Sequence, residues 1–379
     1  MSHVDGLCDP AFSAVREALE QNLAGGDEIG ECVSVVLDGR PVVDLWGGYS
    51  DRAHTRPWRA DTLVCMFSVG KPISILPVFI LAERGQIDLD APVVRYWPAF
   101  GQAGKEHITV RHIISHQAAI PGAFAAHKGD AYHWDQMIRA IEQQEPLWEP
   151  GTRGCYHTMT LGYLTGELVR RVTGRSIGQF LQEEVCLPLG IDYHFGLSPA
   201  DQRRCAEVYE APDGPFMDVI RDPQTLLGKC WIPLPLTDYE EDFNSALYRA
   251  TEMPSFNGHG TARGVARLFG ALARGGEIDG VRLISQTLRD DAITEAWDQT
   301  DALGMPCRMS RGGFMLRNDT LAPYNRNPRS FGHLGLGGAI AYGDPDAKLG
   351  FSFCGNRMAS STDPVSYAKR LLEATEACL

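Results

Sequence analysis

The chain has 379 residues, 44% of them hydrophobic and 22% charged, which is typical of a soluble globular protein with two or three packed layers. Its net charge is -13 and it has no basic run, so nucleic acid is not an expected partner. The apolar run Ile73 to Ala82 is about half as long as a membrane span, so no membrane association is expected. The first residues carry no basic or apolar signal region, and we therefore expect a cytoplasmic protein.

The N-terminal segment predicts a helix followed by a β-hairpin. Pro10 to Leu23 has an amphipathic pattern that ends at Gly25-Gly26. Cys32 to Leu37 and Val42 to Trp46 are strand-like runs, and Asp38-Gly39-Arg40 between them is a turn signal. The two runs are therefore expected to pair as an antiparallel hairpin.

The motif Ser68-Val69-Gly70-Lys71 follows this hairpin and opens an apolar, helix-like run. A hydroxyl and an amine three positions apart lie on one face of a first helical turn, where the amine can take the hydroxyl's proton. The amide hydrogens of that turn point toward any charge that develops. The spacing alone is a weak signal, since it recurs at Ser366 and Lys369, where we expect a solvated helix face. Ser68 is the candidate nucleophile and Lys71 its partner.

Helical patterns and loops fill the middle of the chain. Thr160 to Val172, Ile177 to Val185 and Ala262 to Ala273 each place apolar residues on one helix face. Residues 206–258 are rich in Pro, Asp and Gly, and we interpret them as an irregular excursion that shapes a pocket.

A second serine motif, Gly174-Arg175-Ser176-Ile177-Gly178, matches the G-x-S-x-G signature of many serine hydrolases. That signature requires a strand, a sharp turn and then a helix. Here the residues before it have a helical period, so Gly174 fits a helix end and Ser176 fits the cap of the next helix. Ser176 is therefore not expected to be the nucleophile.

The C-terminal end mirrors the N-terminal one. Gly335 to Tyr342 and Leu349 to Gly355 predict a second hairpin around the turn Asp344-Pro345-Asp346-Ala347, and a helix is expected from Asp363 onward. If both hairpins share one antiparallel sheet with the terminal helices packed on it, the two termini come together.

The predicted fold class is therefore α/β (α+β), with an antiparallel sheet flanked by N- and C-terminal helices and an inserted, mainly helical domain. We assign residues 1–70 plus 328–379 to the sheet domain and residues 71–327 to the helical insert. The active site is expected at their junction.

A serine and lysine pair needs further groups, because an exposed lysine is protonated at neutral pH. Tyr156 follows a Pro-Gly turn and precedes a helix, so its hydroxyl could relay protons, although a buried structural tyrosine is the alternative. His333-Leu334-Gly335 opens a glycine-rich strand edge that a substrate could approach closely. An amide there could join that of Ser68 as an oxyanion donor, but a glycine-rich sheet corner explains the pattern equally well.

The cysteines and histidines give no sign of a metal or cofactor. The ten cysteines are scattered without a C-x-x-C pair, and Cys32, Cys65 and Cys354 lie in strand-like runs that indicate reduced core thiols. Cys155 lies beside Tyr156 and could be a reactive thiol. The eleven histidines form no H-x-x-x-H or H-E-x-x-H pair, so no metal site is expected.

Together these motifs make the chain resemble the serine β-lactamase and penicillin-binding superfamily, in particular the class C β-lactamase-like branch that includes family VIII carboxylesterases. The resemblance covers almost the entire length and depends on the order of several motifs. These are Ser68-Val69-Gly70-Lys71-Pro72, Arg84-Gly85-Gln86-Ile87-Asp88-Leu89-Asp90 with Tyr96-Trp97-Pro98, Thr109-Val110-Arg111-His112-Ile113-Ile114-Ser115-His116, Trp148-Glu149-Pro150-Gly151-Thr152, Tyr156-His157, Gly162-Tyr163-Leu164-Thr165-Gly166-Glu167 and Phe331-Gly332-His333-Leu334-Gly335.

The resemblance implies a β-lactamase/DD-peptidase-like fold in which Ser68, Lys71 and Tyr156 are catalytic. His333-Leu334-Gly335 stands where the lactamases have Lys-Thr-Gly, which implies that His333 and Gly335 bind substrate. The same alignment places the second oxyanion amide on Leu336, beside that of Ser68.

Two departures from the family pattern bear on the substrate. Thr158 replaces an asparagine that contacts the substrate amide in the lactamases, and His333 replaces the lysine that holds the β-lactam carboxylate. Neutral imidazole is a poor substitute for a fixed positive charge. Together with the absence of an export signal, these departures favour esters over β-lactam or peptidoglycan substrates.

The sequence therefore predicts a serine carboxylesterase that forms an acyl-enzyme on Ser68, with Lys71 and Tyr156 as the acid-base pair. The expected partner is a small-molecule ester, and no cofactor is expected. An amidase, an acyltransferase or a weak β-lactamase with the same nucleophile are the alternatives. A non-catalytic penicillin-recognising binding protein is a further alternative, which the presence of all three reactive residues argues against.

Overall fold

The structure, a computed structural model, describes residues 4–26, 29–209, 215–234, 236, 238–360, 363 and 365–379. Its strands are β1 (Val4–Cys8), β2 (Gly30–Leu37), β3 (Arg40–Gly48), β4 (Val64–Cys65), β5 (Tyr193–His194), β6 (His259–Gly260), β7 (Glu277–Ile278), β8 (Val281–Arg282), β9 (Glu295–Thr300), β10 (Pro306–Ser310), β11 (Met315–Leu316), β12 (Phe331–Leu334), β13 (Ile340–Asp344) and β14 (Leu349–Gly355).

The α-helices are α1 (Ser13–Gly25), α2 (Gly70–Glu83), α3 (Val110–Ile114), α4 (Trp134–Gln143), α5 (Thr160–Thr173), α6 (Ile177–Leu181), α7 (Leu187–Leu189), α8 (Pro199–Gln202), α9 (Pro215–Arg221), α10 (Leu226–Trp231), α11 (Tyr239–Asn244), α12 (Ala246–Ala250), α13 (Ala262–Ala273), α14 (Gln286–Ala292) and α15 (Ser366–Ala377). Short 3-10 helices span Pro10–Phe12, Phe67–Val69, Val93–Arg95, Pro98–Gly101 and Asp130–Tyr132, and a π-helical turn spans Gln182–Cys186.

A nine-stranded sheet joins the two ends of the chain. Its strand order is β1-β3-β2-β14-β13-β12-β11-β10-β9, and all neighbouring strands are antiparallel. The N-terminal hairpin of β2 and β3 meets the C-terminal hairpin of β13 and β14 where β2 pairs with β14, from Leu37 opposite Leu349 to Glu31 opposite Gly355. The predicted sharing of one antiparallel sheet by the two hairpins is therefore confirmed.

Each face of this sheet is covered by helices. On one face, Val33 and Phe351 pack with Val15 of α1 and Leu371 of α15 in one buried cluster. The other face packs against α13, which in turn adjoins the helical part of the chain. Gly350 makes this second contact close, because a Cβ atom there would lie 2.2 Å from the carbonyl oxygen of Ala266 on α13.

The C-terminal part of the sheet begins at Glu295, earlier along the chain than the predicted boundary at residue 328. Strands β9, β10 and β11 lie within residues 71–327, which the sequence assigned to the helical insert, and they form one edge of the sheet. Strand β11 has only two residues, and the pair of β9 and β10 carries a register shift and several polar residues, so their alternation is weak. The division into two domains stays a prediction.

Residues 206–258 contain more regular structure than predicted. Helices α9 to α12 lie in this range, whereas residues 210–214, 235 and 237 fall outside the described part of the chain. Side chains of Thr225, Asp238 and Ser245 cap three of these helices by accepting backbone hydrogen bonds. The interpretation as an irregular excursion was wrong because each helix has only five to seven residues, too few to show a hydrophobic period.

A second local difference concerns residues 335–339, which were predicted as the start of a strand. They form a loop between β12 and β13 in which Gly337 and Gly338 have positive φ angles of 82° and 104°.

Within the described residues, no helix is both long and apolar enough to cross a membrane.

Candidate active site

A strained turn presents Ser68 at the start of α2. Ser68 lies in the 3-10 turn Phe67–Val69, which continues directly into α2 at Gly70. The residue before it, Phe67, has a φ of 47°, a conformation that side chains other than glycine rarely adopt. Its ring packs edge-on against Phe243 and Phe256, at centroid distances of 5.1 and 5.7 Å. These buried contacts hold the turn in place, and Ser68 remains partly exposed.

Lys71 lies one helical turn after Ser68 and is buried, with only 1% of its surface exposed. Its Nζ atom is 3.0 Å from Ser68 Oγ and 3.0 Å from the carbonyl oxygen of Ser255. Burial lowers the pKa of the Lys71 amine well below its ordinary value of 10.5, and no charged group in the described structure offsets this effect. The surroundings therefore favour the uncharged amine, whose lone pair can face the Ser68 hydroxyl.

Two glycines leave room for the loop that contains Ser255, whose carbonyl oxygen contacts Lys71. A Cβ atom at Gly70 would lie 2.8 Å from the carbonyl oxygen of Pro254, and one at Gly162 would lie 2.4 Å from the amide nitrogen of Ser255. The Gly162 amide also donates to Ser255 Oγ at 2.5 Å. Ser255 therefore ties the start of α5 to the amine of Lys71 on α2.

Tyr156 lies on the loop before α5, with its phenol ring packed beside the amine of Lys71. Its amide donates to Asp301 Oδ2 at 2.7 Å, and its ring stacks on His116 with a centroid distance of 5.3 Å and an angle of 16°. Lys71 Nζ lies 4.6 Å from the centre of the ring. Burial raises the pKa of the Tyr156 hydroxyl above its ordinary value, and the nearby Ser68 hydroxyl offsets part of this rise. The phenol is therefore protonated at neutral pH.

His333 approaches Tyr156 from strand β12 of the large sheet. It is buried, and its Nε2 atom lies 3.5 Å from the Tyr156 hydroxyl oxygen. Its Nδ1 atom lies 2.6 Å from the carbonyl oxygen of Leu334. Burial, with a smaller contribution from Lys71, lowers the pKa of His333 to about 3, so the imidazole is neutral near pH 7.

The loop after His333 packs against the backbone that leads to the nucleophile. A Cβ atom at Gly335 would lie 2.4 Å from the carbonyl oxygen of Met66, so only glycine fits there without a shift. Gly335 also donates its amide to Ala339 at 2.7 Å, which closes the loop. In the described part of the chain, the amides of Ser68 and Leu336 donate no backbone hydrogen bond.

These elements enclose a cavity of about 210 Å³. All six predicted site residues line it, namely Ser68, Lys71, Tyr156, His333, Gly335 and Leu336. Its other walls are mainly apolar, and they consist of Thr158, Trp231, Phe256, Gly304, Met305, Pro306, Met315, Leu321, Leu334, Gly337, Ala359 and Ser360. The cavity lies where the large sheet meets the helical part of the chain.

The other candidates from the sequence lie outside this cavity. Ser176 caps α6 by accepting from the Gln179 amide, and its hydroxyl donates to Glu252 at 2.7 Å. Ser366 and Lys369 are exposed on α15. The structure therefore places both alternative serine motifs in helix caps or on a solvated helix face, as the sequence predicted.

The cysteines remain thiols in the structure. None of the ten forms a disulfide, and Cys32, Cys65 and Cys354 are buried in strands β2, β4 and β14. Cys155 is also buried, and its pKa is raised by burial, so the thiol stays protonated and unreactive. Among the residues that the structure describes, no group of three or more His, Cys, Asp or Glu could hold a metal ion.

Sequence reasoning missed the residues that hold the site together. Ser255 acts through its backbone carbonyl, which no sequence pattern marks, and Asp301 reaches Tyr156 from a distant part of the chain. His116 was part of a recognised motif, but its stacking on Tyr156 depends on the folded arrangement.

The beta-lactamase family profile matches residues 15–376. The chain belongs to this family. It is 34% identical over 373 residues to the protein named "Esterase/beta-lactamase LipL" of Mycobacterium tuberculosis, a match that covers 94% of this chain and 84% of that protein.

Two solved structures share the beta-lactamase fold over the whole chain. The crystal structure of a family VIII carboxylesterase has a TM-score of 0.89 and 36% identity, with 100% of both chains covered. A penicillin-binding protein homologue from Caulobacter crescentus has a TM-score of 0.87 and 35% identity, also with 100% of both chains covered. The fold and the family resemblance predicted from the sequence motifs are therefore confirmed.

Proposed function

We propose that the protein hydrolyses carboxylic esters through an acyl-enzyme on Ser68, with Lys71 and Tyr156 as the acid-base pair. The broader prediction of a serine carboxylesterase of the beta-lactamase family is confirmed by its relatives, which include "Esterase/beta-lactamase LipL" of Mycobacterium tuberculosis and the family VIII carboxylesterase. The observation that carries the finer proposal is the 3.0 Å contact between Ser68 Oγ and a buried lysine amine at the wall of an apolar cavity.

In the acylation step, Ser68 Oγ attacks the ester carbonyl carbon while its proton moves to the lone pair of Lys71 Nζ. The carbonyl electron pair moves onto the oxygen, and the amides of Ser68 and Leu336 are available to stabilise the charge there. The tetrahedral intermediate then breaks its bond to the alcohol oxygen. Tyr156 gives its proton to that oxygen and regains one from the Lys71 ammonium, so the alcohol leaves neutral.

Deacylation follows the same path with water in place of the alcohol. Lys71, neutral again, accepts a proton from water through the Tyr156 hydroxyl while the water oxygen attacks the acyl carbon. The bond between the acyl group and Ser68 Oγ then breaks, and the serine oxygen takes the proton back. The carboxylic acid is released and the resting enzyme is restored.

The walls of the cavity favour uncharged esters over β-lactams. Lys71 and His333 are its only ionisable nitrogen side chains among the described residues, and burial favours the neutral form of both. A carboxylate in this cavity would therefore lack a cationic partner and would lose its hydration. This supports an ester substrate whose acyl part is apolar.

The nucleophile is tested by comparing Ser68→Ala with Ser176→Ala. Loss of Ser68 is expected to reduce the rate of p-nitrophenyl ester hydrolysis by a factor on the order of a million, since the attacking oxygen is removed. Ser176→Ala is expected to keep nearly wild-type kcat, because this hydroxyl caps α6 outside the cavity. The reverse pattern would overturn the assignment.

The same preparation separates the alternatives that share this nucleophile. An added alcohol acceptor detects acyl transfer as a new ester product, an anilide substrate detects amidase activity, and nitrocefin detects cleavage of a β-lactam. Each is compared with the Ser68→Ala variant as background.

A further inference from the structure

We propose that His333 is a positioning residue that accepts the Tyr156 hydroxyl proton in a hydrogen bond at Nε2 and so keeps the phenol oxygen free to face Ser68 and Lys71. This inference rests on the proposed function. It gives His333 a role different from that of substrate binding, which the family resemblance implies for this position.

The backbone fixes the tautomer of His333. Its Nδ1 atom lies 2.6 Å from the carbonyl oxygen of Leu334, and a carbonyl can only accept a hydrogen bond. Nδ1 therefore carries the proton, which leaves a lone pair on Nε2. His333 has 1% of its surface exposed, and burial favours this neutral form.

The only role open to Nε2 is that of acceptor. The Tyr156 hydroxyl lies 3.5 Å away, so its O–H is the donor in this contact. The distance is at the long end of the range for a hydrogen bond. The phenol also stays protonated, as this role requires.

The ring of Tyr156 is held so that its hydroxyl cannot turn away easily. His333 packs on one side at a centroid distance of 5.7 Å, and His116 stacks on the ring at 5.3 Å. Nδ1 of His116 accepts the amide of His157 at 2.9 Å, so His116 carries its proton on Nε2. Among the described residues, the ionisable groups that act on the phenol are Lys71, the two imidazoles, which burial keeps neutral, and Asp301, Cys307 and Tyr324.

In this arrangement the Tyr156 hydroxyl donates a hydrogen bond in one direction and accepts hydrogen bonds from another. While its proton points to His333, its lone pairs can accept from Lys71 or Ser68, so the phenol does not occupy the serine oxygen that attacks. When the alcohol leaves, the Tyr156 O–H bond breaks toward the leaving oxygen, and a proton from the Lys71 ammonium replaces it. His333 is neutral before and after the step.

A lysine at this position would act in the opposite sense. A charged ammonium has no lone pair and can only donate to the phenol oxygen. The identity of residue 333 therefore decides whether the hydroxyl of Tyr156 is held as a donor or as an acceptor.

Three variants test this role: His333→Gln, His333→Phe and His333→Lys. Glutamine offers a carbonyl oxygen as acceptor, phenylalanine keeps the ring packing without an acceptor, and lysine offers only donors in the pH range where its amine is charged. His259→Phe is the matched control, since His259 is also buried with Nδ1 2.7 Å from a backbone carbonyl but does not line the cavity. The measurements are kcat and KM for a p-nitrophenyl ester across a range of pH, with Tm for each variant.

We expect kcat of His333→Phe and His333→Lys to fall about 100-fold at neutral pH, with KM changed by less than about threefold. His333→Gln is expected to recover kcat to within about tenfold of wild type, because the acceptor is restored. The His259→Phe control should keep wild-type kcat. Glutamine and lysine are both flexible polar side chains, so the difference in kcat between His333→Gln and His333→Lys shows whether an acceptor is needed. This comparison holds even where the His333→Phe variant is too unstable to assay.

Wild-type kcat in His333→Phe or His333→Lys would overturn the inference, and so would a loss in His333→Gln as large as that in His333→Phe at unchanged Tm. These outcomes differ from failure of the proposed function. In that case the wild-type protein itself would hydrolyse esters no faster than Ser68→Ala.

Discussion

Lys71 and Lys369 each stand three positions after a serine, and only their surroundings distinguish them. Lys71 has 1% of its surface exposed and contacts Ser68, whereas Lys369 is exposed on α15. An exposed amine keeps its charge at neutral pH, while burial favours the neutral form that can accept a proton. The chemistry of this motif therefore depends on burial, which the spacing of its residues does not encode.

A substitution that keeps the positive charge tests whether Lys71 acts as a base. Lys71→Arg is expected to lower kcat at least about 1000-fold, because a guanidinium does not give up its proton in proteins. Lys369→Arg, the matched change in the exposed motif, is expected to leave kcat unchanged. Steady-state hydrolysis of a p-nitrophenyl ester measures both, and a Lys71→Arg enzyme with near wild-type kcat would rule out the proton-acceptor role.

Sequence reasoning located the side chains that meet in the cavity because each belongs to a recognisable motif. Ser68, Lys71, Tyr156 and His333 all line it. Their supports were not found, because the carbonyl of Ser255 and the stacking of His116 arise from contacts between distant parts of the chain.

At the scale of elements, the loop between β12 and β13 determines how closely the sheet approaches the nucleophile turn. Gly335 in this loop meets the carbonyl oxygen of Met66, two residues before Ser68. Any side chain there has to push the loop away from the turn, and with it the amide of Leu336. This contact joins the wall of the cavity formed by the sheet to the wall formed by the turn at the start of α2.

Gly335→Ala is expected to lower kcat by about 100-fold, because the Leu336 amide moves out of reach of the oxyanion. Gly104→Ala is the control, since Gly104 is exposed and a Cβ atom there has no neighbour within 4 Å. Because Gly104 has a positive φ of 78°, the Gly104→Ala variant is expected to lose only about 1 kcal/mol of its free energy of unfolding. Assays of kcat together with thermal unfolding separate the two effects, and a Gly335→Ala enzyme with normal kcat would show that this contact does not position the site.

Elements with a long hydrophobic period were the most predictable. Helix α13 spans Ala262–Ala273, the same bounds that its apolar pattern gave, and α5 differs from its predicted end by one residue. Helices α9 to α12 were missed, since elements of five to seven residues depend on capping and tertiary contacts more than on period.

At the scale of the whole molecule, one sheet that contains strands from both ends of the chain forms one side of the cavity. The order of the motifs predicted the fold, and the two hairpins predicted the meeting of the termini, because each hairpin has two strand-like runs around a turn signal. The strands β9, β10 and β11 at one edge of the sheet could not be predicted in the same way, since they are stabilised by pairing in series, β11 with β12, β10 with β11 and β9 with β10, rather than by a pattern of their own. Lys71 is buried between these parts, where α2, the Ser255 loop, Tyr156 and strand β12 meet.

The lowered pKa of Lys71 is therefore a property of the assembled fold, and the proposed chemistry of Ser68 depends on it. The most direct test is the pH dependence of the rate at which a fluorophosphonate modifies Ser68 of the wild-type protein, followed by mass spectrometry of the labelled peptide. We expect a single label on Ser68 and a rate that rises as Lys71 loses its proton and then stays level, with a midpoint well below 10.5. A midpoint near 10.5 would contradict the role of Lys71 as the base, and a label on Ser176 would contradict the assignment of Ser68 as the nucleophile.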